Sequence, residues 1–227
     1  MASCVHKAEK GKAIELALND VSLAVDCLKI LSPAVDYPQI KIFFDIDSRN
    51  IYQRKTDVLI QKTTQEEILN PEYIFKNVPF IIDGNVWQSM LKSKLGFFHA
   101  FLLKTSNQNQ SEFEHLTLNA IRNFSKAIGN NDQHARIAQI FTVLESLLLP
   151  NETANILESV CKYLPKLVAT EPSMRIKISE TIRRLYNVRS SMIHHAKLIE
   201  FNIDDLSLLQ RCTRALLTNF ITTSQQD

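Results

Sequence analysis

In the run LYNVRSSMIHH an arginine and a histidine, Arg189 and His194, stand five residues apart. A guanidinium grips anions through a planar fork of donors, and an imidazole takes up or releases a proton. The two together are an anion-binding group beside a titratable base. Their surroundings are basic as well. Between Arg175 and Lys197 lie six cations (Arg175, Lys177, Arg183, Arg184, Arg189 and Lys197) and one acid, Glu180, in a chain of formal net charge +2. A local excess of this kind on a near-neutral protein suits an anionic partner bound at one place. Solvated faces and helix C-termini also collect basic residues.

These residues need a helix to carry them. At about 100° per residue, Ile178, Ile182, Leu185, Val188, Met192 and Ile193 fall within one arc of about 140°. Arg189 falls inside the same arc. An arginine within an apolar stripe is costly unless it is paired or faces a cleft, or unless its stem carries the charge out to the rim. Asn187, Ser190 and His194, with Arg183, form an adjoining polar stripe. A second misplaced charge, Glu145 in FTVLESLLL, shares its helical face with Phe141 and Leu148. The pattern predicts a Glu145–Arg189 pair that fixes the guanidinium.

The rest of the chain supplies the frame. Ile14, Leu18, Val21, Val25 and Leu28 recur at helical steps, predicting an amphipathic helix over 12–31 that Pro33 and Pro38 end. Ile40–Ile46 and Asp57–Lys62 alternate as strands around the turn-rich DSRN and predict a small hairpin. From Val86 the pattern is helical: about 86–105, 112–128, 133–149, 152–168, 172–195 and 204–221. Asp132 caps the helix over 133–149, Pro165 kinks or shortens the fifth helix of the chain, over 152–168, and Asn202 or Asp204 caps the last. The expected fold is mainly α, a helical bundle with a small β-hairpin insertion in its N-terminal half. One domain spans 1–227. Within it, 1–111 holds the first helix, the insertion and a connecting helix, 112–221 the core helices, and 222–227 a polar tail.

Composition removes several classes of function. An apolar share of 45% over 227 residues is enough for a core and excludes disorder. Only four glycines occur, and neither GxGxxG nor GxxxxGK[ST] is present, which argues against a glycine-rich phosphate cradle. Cys4, Cys27, Cys161 and Cys212 have no ligand-like spacing, so neither a disulfide scaffold nor a zinc site is expected. Adjacent helical side chains diverge, so His194 and His195 would not share a metal either. Asp45 and Asp47 are able to share a strand face and hold a cation, or to stand as strand-edge charges before a turn. The longest nearly unbroken apolar run, Gly96 to Leu103, is far short of the ~20 residues that span a bilayer. The charged N-terminus lacks the apolar segment of a signal peptide. The expectation is a cytoplasmic protein with no membrane association, cofactor or metal.

LYNVRSSMIHH resembles the terminal motif of HEPN domains, an arginine followed after four to six residues by histidine. The similarity is greatest to the ApeA-like HEPN group of prokaryotic defence proteins. There a helix similar to ARIAQIFTVLESLL precedes one that ends in a tyrosine-x-x-arginine-serine run and a histidine. ALNDVSLAVDCLKIL and LNAIRNFSKAIGNNDQ resemble that group's earlier helices. The resemblance is strongest over 112–200 and weak over the hairpin.

The resemblance implies a metal-independent endoribonuclease of toxin or antiviral type, or a non-catalytic HEPN module that binds RNA, a nucleotide or a partner protein. It makes Arg189 and His194 the catalytic pair, with Ser190, His195, Glu145 and Asn187 in support and Arg183, Arg184, Lys197 and Tyr186 along the RNA. Tyr186 either stacks on a base or packs internally. The imidazole would deprotonate a ribose 2′-hydroxyl or protonate the leaving 5′-oxygen, and the guanidinium would stabilise charge on the phosphoryl oxygens. His195 stands where the family commonly has a small residue, so either histidine fits the spacing. A straight helix sets Arg189 and His194 about 140° apart. The family's homodimer brings them together across a two-fold axis. Control would come from a separate partner such as an antitoxin, or from a region outside this sequence.

Overall fold

The computed structural model describes residues 9–40, Gln88, 94–105, 110–149 and 155–224. Seven helices occur among them: α1 (Lys10–Leu31), α2 (Lys94–Thr105), α3 (Glu112–Gly129), α4 (Gln133–Leu148), α5 (Ile156–Val168), α6 (Pro172–His195) and α7 (Ile203–Thr223). A 3-10 turn, Pro33–Val35, follows α1. The chain is mainly α. The predicted hairpin and the aspartates Asp45 and Asp47 lie outside the described residues, as do most of 86–93 and the first residues assigned to the fifth helix.

Local chemistry sets the helix ends. Ser111 begins α3 with a capping box: its hydroxyl accepts from the Glu114 N–H at 3.2 Å, and Glu114 Oε2 accepts from the Ser111 N–H at 2.8 Å. These bonds, led by the backbone one and aided by Lys104, hold the Glu114 carboxyl below its ordinary range. Asp132 caps α4, accepting from the His134 and Ala135 N–H groups. Asn202 rather than Asp204 caps α7. Pro165 sits inside α5, which runs on to Val168. Its ring leaves the Cys161 carbonyl without the usual donor four residues on. The Ser179 hydroxyl of α6 donates to that carbonyl at 3.4 Å.

α3 packs on α1 and α4, α5 packs on α6, and α7 touches α2, α3, α4, α5 and α6. The core holds the expected α4 face, Ile137, Ile140, Phe141, Leu144 and Leu148, and on α6 Ile178, Ile182, Leu185 and Val188. The reading of α1 needs correcting. Leu18 is exposed, and the buried positions are Leu23, Cys27 and Ile30 beside Asp26. The helix is apolar around much of its circumference, and an acid sits in the stripe that packs. Asp26 is accommodated because its carboxylate accepts from the buried Ser125 hydroxyl at 2.6 Å. Two α6 assignments also shift: Met192 is half-buried and Ile193 half-exposed, because the helix emerges from the bundle there.

Candidate functional site

α4 and α6 meet through an aromatic and a charged contact one turn apart. The Phe141 and Tyr186 rings lie edge to face at 5.4 Å between centroids. One turn later Arg189 Nη2 approaches Glu145 Oε1 at 2.7 Å, with side chains 13% and 20% exposed. The guanidinium also lies over the Tyr186 ring, 5.3 Å from its centroid. The Glu145–Arg189 pair therefore forms, and the Tyr186 ring is engaged within the chain.

The pairing is incomplete as hydrogen bonding. Glu145 Oε1 and Arg189 Nε are both buried without a hydrogen-bond partner among the described residues. Charge is matched while donor and acceptor capacity stays open. Burial raises the Glu145 carboxyl above its ordinary range, and the Arg189 charge opposes that shift.

His194 and His195 are exposed in the last turn of α6, which stays helical through both. The offset of about 140° between Arg189 and His194 is thus kept, one side chain turned into the bundle and the other outward. Ser190 is half-buried, and Asn187, Arg183 and Lys197 are exposed. Ala196 ends the helix in the left-handed region at φ 50°, and the Lys197 N–H closes on the Ser191 carbonyl at 3.1 Å. Ile193 and Leu198, 50% and 65% exposed, flank the histidines with apolar surface.

Arg184 is placed differently from the RNA-facing cation expected of it. Its Nε and Nη2 each donate to Asp205 at 2.8 Å, and Nη2 donates to the Thr181 hydroxyl at 3.1 Å. The guanidinium, ahead of smaller contributions, holds the Asp205 carboxyl below its ordinary range. This fork neutralises Arg184 and spends its donors on the fold. Of the other window cations, Arg175 donates to the Ala169 carbonyl at 2.8 Å. The basic surface thus rests mainly on Arg183, Lys177 and Lys197.

Three features lay beyond the sequence reading. Residues 196–202 fold back along α6 as a strap, since Asp205 reaches Arg184 about three turns before the helix ends. His134, in the first turn of α4, pins the strap: its Nε2 lies 3.0 Å from the Ile199 carbonyl oxygen and its ring meets Phe201 edge-on at 5.2 Å. An open groove of about 500 Å³ remains between strap and helix, lined in part by Asn187, Glu200 and Phe201. Only the acidic first turn of α7 hinted at this corner, and it read as a helix cap.

Among the described residues no three His, Cys, Asp or Glu side chains cluster as a metal site requires. No helix there is long and apolar enough to cross a membrane. Comparison with family models, curated proteins and solved structures returned no match.

Proposed function

We propose that this chain is a HEPN-type endoribonuclease whose Arg189 and His194 work together across a homodimer. The observation that carries the reading is the state of Arg189: it is held in place by Glu145 and Tyr186, yet its Nε has no hydrogen-bond partner among the described residues. On this reading the positioned guanidinium, whose Nε is buried in the single chain, meets the phosphoryl oxygen once dimerisation opens that face.

The exposed His194 supplies the proton transfers. As a base it takes the 2′-hydroxyl proton, and the 2′-oxygen attacks the adjacent phosphorus. The 5′-oxygen then leaves with a proton, giving a 2′,3′-cyclic phosphate and a 5′-hydroxyl. His195 shares the exposure and is the competing base, while Ser190 and Asn187 border the path. Arg183 and Lys197 offer exposed charge to the RNA backbone. The apolar flank of Ile193 and Leu198 suits a second copy, which lets the arginine of one protomer meet the histidine of the other. An antitoxin-like partner would restrain the enzyme by covering the same surface.

A second reading, a non-catalytic RNA-binding module, is favoured by the same 140° offset, because one chain by itself leaves Arg189 and His194 on different faces. RNA cleavage in EDTA separates the two. Wild type is expected to cut, with Arg189→Ala and His194→Ala at least about 100-fold slower at unchanged oligomer mass. Binding without cutting by wild type would establish the module instead.

A further inference from the structure

We infer that the groove between α6 and its strap is a recognition site for a guanine base. Charge in the groove is nearly balanced. Its lining carries one cation, Arg184, and two carboxylates, Glu200 and Asp205. Arg184 and Asp205 neutralise one another through the bidentate fork, which uses Nε and Nη2 of the guanidinium, and the Thr181 hydroxyl donates to Asp205 as well. What remains is the carboxylate of exposed Glu200, which has no partner among the described residues. A groove whose unpaired charge is a carboxylate suits a ligand edge rich in N–H donors.

Free polar groups line the same groove. Asn202 spends its Oδ1 on the Asp204 N–H and keeps its amide donors. The Asn187 amide is exposed and keeps both donor and acceptor. The groove therefore offers a two-oxygen acceptor at Glu200 with amide donors from Asn187 and Asn202. Guanine alone among the RNA bases presents two adjacent donors, N1–H and the exocyclic amine, on one edge and the acceptors O6 and N7 beyond them. Adenine and cytosine set an acceptor beside the amine, and uracil places a single N–H between two carbonyls. A carboxylate meets repulsion from each of these.

The groove also has an apolar wall. Val188 and Phe201 line the groove, and His134 holds the Phe201 ring from the side. A ring fixed in this way is a surface on which a flat base stacks at little entropic cost. The volume of about 500 Å³ accommodates a base. Asn187 and His194 lie seven residues apart, nearly in line on α6 and about 10 Å along its axis. A base seated in the groove would set the strand's register relative to the histidine. This role rests on the RNA-directed reading; the base site itself also stands for a free guanine nucleotide.

The test uses short 2′-O-methyl oligoribonucleotides, which cannot be cut by 2′-hydroxyl attack, differing only in a central guanine, hypoxanthine or adenine. Guanosine monophosphate is titrated separately. Affinity is measured by fluorescence anisotropy and calorimetry on wild type, Glu200→Gln and Asn187→Ala; both substituted side chains are exposed, so the fold is retained. The guanine oligomer is expected to bind at least about tenfold more tightly than the adenine one, with hypoxanthine between them. Glu200→Gln is expected to erase the preference. Equal affinity for all three oligomers, unchanged by Glu200→Gln, would overturn the base site and leave RNA binding standing. Glu200-dependent binding of the monophosphate with no oligomer bound would keep the base site and defeat the RNA reading. Binding of neither would defeat both.

Discussion

Arg136 on α4 and Arg189 on α6 are held in opposite ways. Arg136, near the start of α4, is 2% exposed. Its guanidinium donates twice to the Asn130 carbonyl, at 3.0 and 2.6 Å, and from Nη1 to the Pro38 carbonyl at 2.9 Å and Gln210 Oε1 at 3.3 Å. Gln210 in turn donates to the Ala34 and Val35 carbonyls. Every partner is a neutral oxygen, no carboxylate pairs with Arg136 among the described residues, and desolvation lowers its pKa to about 10. Arg189 has the reverse arrangement, a carboxylate for its charge and an open Nε. Arg136 ties the α3–α4 turn, the segment after α1 and α7 into one body. Arg189 is positioned with part of its donor capacity open, which is what the proposed ligand role requires of it.

Breaking the first arginine should have the largest effect on stability. Arg136→Ala removes four donor bonds, two of them to the buried oxygens of Pro38 and Gln210, and opens a cavity, an expected loss of about 3–5 kcal/mol. Urea unfolding reads this directly. A loss below about 1 kcal/mol would remove the structural half of the comparison.

The pair at Arg189 should respond less, and unevenly. Arg189→Met leaves a short, desolvated carboxylate with nothing opposite, at an expected cost of about 1–3 kcal/mol. Glu145→Gln should cost under about 1 kcal/mol, because the long arginine stem is able to re-aim its charge toward solvent. The double variant should recover most of what Arg189→Met loses, whereas independent sites would add. RNA cleavage should fall in all three, since Glu145→Gln frees the guanidinium from its position.

The effect of pH is the smallest and carries a definite sign. Burial raises folded Glu145 above its ordinary 4.5. The folded chain thus keeps a proton that the unfolded chain has released. The contribution of Glu145 to stability is full below that value and declines as pH rises through the folded pKa. Unfolding of wild type and Glu145→Gln across this window should show the decline only in wild type.

Much of the bundle is legible in the residues. Proline, glycine and capping positions mark α3 through α7 to within a few residues, because those ends are set by local chemistry such as the Asp132 cap. The packed face of α1 was misread because Asp26 sits in it, and the Ser125 hydroxyl that accommodates it is 99 residues away. At the site, Arg189 and Glu145 each stood out as a charge in an apolar stripe, so their pairing could be read. Arg136 escaped because its partners are two backbone carbonyls and the neutral side chain of Gln210, none of which marks itself in the sequence as a charge partner. The Arg184–Asp205 fork escaped because it depends on the strap's return along α6.

The central claim is that Arg189 works with a histidine from a second copy of the chain. The direct measurement mixes Arg189→Ala and His194→Ala proteins, each inactive alone, under conditions of subunit exchange, and follows RNA cleavage in EDTA. If the site spans two protomers, half of the randomly formed dimers contain one intact Arg189–His194 site, and activity should return to about a quarter of wild type. If mixed dimers form, by mass, and no activity returns while wild type cuts, the two residues do not meet across the interface and the account is wrong.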